Sequence, residues 1–511
     1  MIGVEFLYEM KRIFRNNIFR LFILFSVVGV ITMQYTWINL TMLHLPHIRL
    51  YDCWIPWSYK GLPFAMPFMN AFLFNFVQVV FVIFICSNDL CVRSRETVEA
   101  LYVRPVSNVK IVMGRNAGKL VAVTLLNFLS MGGALFFNIL YSGYAFNGSL
   151  YLFYWLTLTF PTLVFILGLS NWLGQVVKHQ GLFILLVLSI VGAGILFLAT
   201  RLEGFLDPFA REIPNVFSDI TGHAGIVNYL LQRITIFLIG IVFIFLTVGF
   251  YPRLDNSVNT RKKTGVLVGG LLLVLMIPVV TFINRHDARW EQQAFCKSLQ
   301  DRYGGVLVDH VVSQRIVLQE ETHGFHAESW MRITRLTSSD SSLVLFLNPG
   351  LEVDALEQDG IPVTYSRTGQ VLVTDLHLVE KDTVNLHVTY HGHIDGSVVC
   401  SDLPRESRGR ELSKRLGGMY RSGTRTVLDL ENYKSYSPAS LWYPTCVIPS
   451  TSFLQVKDFT CYSLTVRHRE GATVISQGIP EELKNDETIF HHAHALPGIN
   501  LCIGNYNCRT I

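Results

Sequence analysis

At 511 residues the chain is long enough for two or three domains; half of its positions are hydrophobic, 16% are charged and the mean hydropathy is +0.37. A single water-soluble core cannot absorb that much apolar surface, so part of the chain must meet lipid. The formal charge of +4 is scattered over connections with no basic tract interleaved with aromatics, which excludes a nucleic-acid surface, and nine cysteines without a CxxC pair give no support to a thiolate zinc site.

Residues 5–20 place Phe6, Met10, Ile13 and Phe14 at helical spacing with Lys11, Arg12 and Arg15 between them, the pattern of a helix lying among lipid headgroups. A plain cytoplasmic lead-in to the first span is the alternative. No cleavage site of small residues follows, so the start is expected to be retained. Seven apolar runs come next, at 19–39, 64–86, 118–142, 150–177, 182–200, 229–251 and 265–283, each long enough for a bilayer. Positive charge sorts their connections: Lys11, Arg12, Arg15 and Arg20, the stretch 87–119, Lys178, and Arg253 with Arg261–Lys263 belong inside, while 143–149 has no Lys or Arg. An odd number of spans then puts everything after residue 284 outside. No Asp, Glu, Lys or Arg is expected well inside a span, which argues against an ion-coupled carrier. Amides such as Asn75, Gln78 and Asn171 read as hydrogen-bond partners between helices.

The connection Ser87–Lys119 carries six Lys/Arg against three Asp/Glu and reads as helix, break, helix. Ser94 can cap the first segment, Arg104-Pro105 stops it, and Ser107 can cap the second. This is the pattern of a docking element; a solvated charged face that only marks the inside is the alternative. No G-x-x-x-x-G-K-[ST] occurs in the chain. The nearest approach, Gly114–Lys119, has three intervening residues and is followed by Leu120, which has no hydroxyl for magnesium, so any ATP must be hydrolysed by another protein. Further on, Leu202, Phe205, Leu206 and Phe209 recur at helical spacing within 201–228, either as a segment dipping back toward the membrane or as an amphipathic turn of an exposed connector.

The run RETVEALYVRPVSNVKIVMGRNAGK, preceded by an interfacial helix and a span pair, resembles the cytoplasmic loop of ABC-2 type transporter permeases, and the resemblance covers residues 1–255. It implies a permease subunit of an ATP-driven exporter that binds no cofactor itself, with ATP and magnesium acting on a separate cytoplasmic ABC ATPase. It further implies ATPase coupling through Arg95, Glu96, Glu99, Arg104 and Pro105, an interfacial helix marked by Lys11, Arg12 and Arg15, and a re-entrant outer segment at Phe205, Asp207, Pro208 and Phe209. The implied partners are that ATPase, a second permease subunit in a homodimer or heterodimer, and membrane lipid, with no nucleic acid; the implied place is the bacterial inner membrane. The seventh span departs from the six of this family and would carry the C-terminal region outward.

After a charged helix over 285–303, ended by Gly304-Gly305, alternation takes over in stretches such as HVVSQRIVLQEE, HAESWMRITRL and TVNLHVTYHG. These predict an antiparallel sandwich or a saddle-shaped sheet. Cys296, Cys400, Cys446, Cys461, Cys502 and Cys508 allow disulfides in an extracytoplasmic setting. The stretches LNPGLEVDALEQDGIPVTY, VNLHVTYHGHID, SLWYPT and DFTCYSLTVRHREGATVISQG resemble the N-terminal β-domain of M1 aminopeptidases. No His is followed by Glu, so the HExxH zinc motif of that family is missing and no peptidase activity is expected. The chain ends about where the family's catalytic domain would begin, as in a shortened fusion or an incomplete reading frame. His391 with His393, and His492 with His494, share strand faces, but such pairs are more often ordinary surface residues, and no metal site is expected.

The expected architecture is a membrane α-helical bundle of seven spans after an interfacial helix, followed by a mostly antiparallel β domain outside. Its parts are a permease domain at 1–255, a seventh span and linker helix at 256–303, and a β-domain at 304–511. The alternative function is a membrane-anchored, catalytically incomplete M1-like binding or scaffold protein.

Overall fold

The computed structural model describes residues 2–506 apart from 44–46, 51–52, 57–61, 94–106, 143–146, 195–203, 211–216, 218–221, 224–225, 252–257, 305–306, 338–341, 399–427, 449–456, 485 and 493. It divides into two compact units, a helical one formed by Met1–Arg285 and a strand-rich one that starts at His286.

The helices are α1 (Ile2–Arg15), α2 (Asn17–Leu43), α3 (Leu62–Arg93), α4 (Asn108–Ser142), α5 (Ser149–Val176), α6 (Gln180–Ala193), α7 (Ile226–Phe250) and α8 (Val258–Tyr303). A short hairpin of β1 (His47–Leu50) and β2 (Cys53–Pro56) follows α2. Five helical stretches are long and apolar enough to cross a membrane: Met66–Leu90, Asn108–Leu140, Ser149–Val176, Ile226–Phe250 and Arg261–Tyr303. The count of seven is therefore reduced to five among the described residues. The apolar part of α2 is Phe19–Gly29. Helix α6 has 14 residues. It therefore rises ~21 Å against a hydrocarbon core of about 30 Å.

Two span boundaries also move. Helix α3 runs on to Arg93 and α4 starts at Asn108, so both ends of the charged connection are helical turns. Within α5 the turn Trp155–Thr159 is a π-helix just before Pro161, whose missing N–H and bulky ring disfavour regular α-geometry in the turn ahead of it. Helices α5 and α7 cross at glycines: a β-carbon on Gly168 would lie 2.3 Å from the Gly240 carbonyl oxygen. Buried Phe74, Phe81, Leu126, Tyr154 and Ile166 lie at the centre of this unit.

The strand unit is built from β3 (Asp309–Glu320), β4 (Phe325–Arg335), β5 (Ser342–Phe346), β6 (Leu351–Gln358), β7 (Ile361–Pro362), β8 (Tyr365–Thr368), β9 (Val371–His377), β10 (Thr383–Gly392), β11 (Leu428–Asp429), β12 (Tyr433–Tyr436), β13 (Cys461–Arg467), β14 (Thr473–Ser476), β15 (Ile479–Lys484), β16 (Glu487–His491) and β17 (Leu501–Gly504). An eight-stranded sheet of order β15-β16-β13-β3-β4-β10-β6-β7 is antiparallel except where β13 runs parallel to β3. Sheets of four strands (β11-β12-β17-β14) and three strands (β5-β9-β8) accompany it. In β4 every second residue is buried, from Phe325 through Met331 to Arg335. The period survives at its charged end because the Arg335 Nε lies 2.5 Å from the Asp309 carboxylate. Part of α8 belongs to this unit: Cys296 and Leu299 pack with Phe346, Val371 and Leu441.

Candidate functional site

Two polar clusters lie inside the helical unit. The first gathers charges from three helices. Glu9 and Arg12 of α1, Asp89 of α3 and Lys119 of α4 are joined by contacts of Arg12 with Glu9 at 2.5 Å, of Arg12 with Asp89, and of Lys119 with Asp89 at 2.6 Å. Glu9 is 1% and Lys119 2% exposed, so these ions are withdrawn from water and stand only because two cations meet two anions. The Lys119 ammonium also donates to the Asn171 carbonyl oxygen of α5 at 2.9 Å, and the Asn171 amide donates to Asn116 at 2.5 Å. Gly118 makes the approach of α1 possible, since a β-carbon there would sit 2.8 Å from Glu9 Cβ.

The second cluster surrounds the segment Gly204–Ala210. Thr162 of α5 and Arg233 of α7 both donate to the Pro208 carbonyl, Thr162 at 2.7 Å and Arg233 through Nη1 and Nη2 at 3.0 and 2.9 Å. Gln232 donates to the Asp207 carbonyl, and the Asp207 carboxylate accepts the Phe209 N–H at 2.9 Å. Phe209 stacks on Phe76 at 4.7 Å, and Phe205 on Phe282 at 4.1 Å. Next to it, Gln78 of α3 donates to the carbonyl of Thr159 in the π-turn at 3.1 Å, and the Thr157 and Tyr229 hydroxyls meet at 3.0 Å.

Of the site residues expected from sequence, Arg95, Glu96, Glu99, Arg104 and Pro105 lie outside the described residues. Lys11 and Arg15 are exposed, whereas Arg12 turns into the charged cluster instead of lying with them. Phe205, Asp207, Pro208 and Phe209 are all buried, in a turn and not in a helix, and Leu206 between them is exposed. Gly114–Lys119, the near match to a phosphate loop, is part of α4, so its backbone N–H groups are spent on the helix.

Sequence reading missed the charged cluster and Arg233, and the expectation that no ionised residue lies well inside a span is corrected by Lys119, within Asn108–Leu140, and Arg233, within Ile226–Phe250. Lys119 stood at the edge of a run and Arg233 four residues inside one, positions that a window average absorbs. One signal was legible: no Gly or Pro separates Ser87 from Arg104, so nothing stops α3 before Asp89.

In the strand unit the described cysteines Cys296, Cys446, Cys461 and Cys502 are free thiols, so the disulfides that their number allowed do not form among the described residues; Cys400 and Cys508 lie outside these. His391 is paired with Asp354 at 2.9 Å, and His491 lies 3.6 Å from Glu481. Among the described residues no group of three or more His, Cys, Asp or Glu is placed to hold a metal ion.

No family model matches the chain, and no curated protein matches it. Among solved structures it is similar to an M1 zinc metallopeptidase from Deinococcus radiodurans, at 17% identity and a TM-score of 0.30 over 39% of this chain and 43% of that one. It is also similar to leukotriene A4 hydrolase from Saccharomyces cerevisiae, at 13% identity and a TM-score of 0.26 over 38% of this chain and 28% of that one. The chain thus spans less than half the length of either.

Proposed function

We propose that the chain is the membrane-spanning subunit of an ATP-driven ABC-2 type exporter, with residues 1–255 as the permease and a separate cytoplasmic ATPase as the source of energy. The observation that carries this reading is the buried cluster of Glu9, Arg12, Asp89 and Lys119. Asp89 and Lys119 stand on the two helices that flank the patterned stretch 94–106, and Arg12 ties the interfacial helix to Asp89, which itself pairs with Lys119. A push delivered to that stretch would reach α1, α3 and α4 as one body, because separating them exposes unpaired ions in a medium that does not solvate them. Five long apolar helices also exceed what a tether needs, since one span suffices to anchor a domain.

The mechanism is a shift of populations: ATPases that close on ATP favour the permease arrangement that fits the closed pair, and a second permease subunit completes it. Glu96→Arg combined with Glu99→Arg reverses the charge of the docking stretch. The double variant should lose co-purification with the cognate ATPase from native membranes while inserting normally. ATPase retained at the wild-type level would sink the docking assignment, and the absence of any ATPase on the wild type would favour a membrane-anchored M1-like binding protein.

A further inference from the structure

The second cluster contains a cation whose contacts are all neutral. Arg233 is 1% exposed, and its guanidinium bonds the Pro208 carbonyl through Nη1 and Nη2 and reaches the Thr162 hydroxyl at 3.4 Å. Its Nε is buried without a partner. A guanidinium held this dry is costly unless an anion compensates it. Two groups act on it through space and not through a hydrogen bond, the Tyr229 phenol first and the Asp207 carboxylate after it, and of the two the carboxylate is the one ionised at neutral pH. Asp207 and Pro208 lie in the same described stretch, 204–210, in which Ala210 takes a left-handed conformation (φ 52°) that is uncommon for a residue with a β-carbon.

We propose that Gly204–Ala210 is a tethered, displaceable counter-anion, and that Arg233 with Thr162 and Gln232 is a binding site for a phosphate group. When the segment leaves, the Pro208 carbonyl and the Asp207 charge leave together. What remains is a full positive charge and four donor nitrogens, Arg233 Nη1, Nη2 and Nε and the Gln232 amide nitrogen, with the Thr162 hydroxyl beside them sharing its one proton with the Leu158 carbonyl at 2.9 Å. The N–H groups on these nitrogens outnumber the roughly four lone-pair sites of a carboxylate and suit the more numerous acceptors of a phosphate. A guanidinium also binds an anionic oxygen more strongly than a neutral carbonyl, so the ligand competes with Pro208 on favourable terms. The phosphate can arrive on a lipid headgroup or as a free ion. This site does not depend on the exporter reading and can fail without it.

The test uses the full chain in phosphatidylcholine nanodiscs, titrated with phosphatidylglycerol and, separately, with inorganic phosphate. Bound lipid is read by native mass spectrometry and phosphate by calorimetry. Phosphatidylglycerol is expected to bind at least tenfold more tightly than phosphatidylcholine, and Arg233→Gln to erase that preference. Phe76→Ala loosens the seat of Phe209 without touching Arg233, and should tighten binding of the anionic lipid at least threefold. Binding of both probes assigns the site to the phosphate group itself, and binding of phosphatidylglycerol alone assigns it to a lipid headgroup. The proposal is overturned if neither probe is preferred, if Arg233→Gln binds like the wild type, or if Phe76→Ala leaves binding unchanged or weaker. Should Arg233→Gln fail to fold, the Phe76→Ala result decides.

Discussion

Lys119 contacts Asp89 at 2.6 Å and Asn171 at 2.9 Å in a place that water does not reach. Lys119→Met removes one cation from a balanced set and leaves Glu9, Arg12 and Asp89 with one negative charge in excess. Breaking a buried pair from one side costs about 3–5 kcal/mol, so thermal unfolding in detergent should fall well below the wild type. Adding Asp89→Asn restores the balance of Glu9 with Arg12 and should recover most of the loss, which is the signature of coupling between neighbours. A single variant as stable as the wild type would remove the cluster from any mechanical role.

Two histidines of the strand unit are displaced in opposite directions. His391 is raised chiefly by its hydrogen bond to Asp354, against slight burial, with the charges of Asp354, Glu352 and Glu321 adding to it. Its contribution to stability is present below the ordinary histidine range, about 6.5, and is lost as pH rises through the raised value. His492 is lowered by burial and by neighbouring His491, so its contribution is present above the ordinary range and is lost as pH falls through the lowered value. Titration of the ring carbons by NMR should show His391 above and His492 below that range. Asp354→Asn should return the first and leave the second where it was.

Among the helices, packing is set where side chains are absent. At the crossing of α5 and α7 a β-carbon on Gly240 would lie 2.6 Å from the Phe165 backbone nitrogen, and the facing Gly168 is as tightly enclosed. Gly240→Ala must therefore push two spans apart, at a cost of about 1–3 kcal/mol from overpacking alone. Gly249→Ala, whose β-carbon would meet only the Thr264 side chain at 3.4 Å, is the matched control and should unfold close to the wild type.

These helices also show what can be read without coordinates. The apolar runs at 64–86, 118–142 and 229–251 are legible as spans and overlap the long apolar helices Met66–Leu90, Asn108–Leu140 and Ile226–Phe250, because hydropathy is a local sum. The sequence places Asp89 in the charged connection and Lys119 at the edge of a run without showing that they pair, because a buried charge is stable only through a partner, here 30 residues away in sequence. The alternation of β3, β4 and β10 was legible for the same reason as the spans, since period two is local. The parallel pairing of β13 with β3 was not, since it joins strands about 150 residues apart. At the buried segment Gly204–Ala210 the apolar spacing pointed to Phe205 and Phe209, but nothing in the spacing pointed to Arg233, whose role depends on where a backbone carbonyl falls.

The division of the chain falls inside a helix, and this makes a prediction about which fragments stand alone. The strand unit begins at His286, not where alternation begins. From the preceding turns it takes Leu299, 7% exposed, and Cys296, 1% exposed, as part of a small core with Phe346, Val371 and Leu441. The contact is specific: Gln370 donates to the Cys296 carbonyl at 2.6 Å, and Gly369, at φ 55°, lies where a β-carbon would be 2.9 Å from Leu299. Fragment 286–511 should therefore unfold cooperatively on its own. Fragment 304–511 would lose the burial of Leu299, about 2 kcal/mol, and leave the faces of Phe346 and Val371 bare, at a comparable further cost. Against a net stability of about 5–15 kcal/mol for an ordinary domain, that loss is large enough to lower the midpoint of urea unfolding clearly without changing the fold. Equal midpoints for the two fragments would mean that the helix only rests on the sheet; a lower midpoint for the shorter one makes the last turns of α8 part of the β fold, so that any swap of this domain between proteins must carry them along.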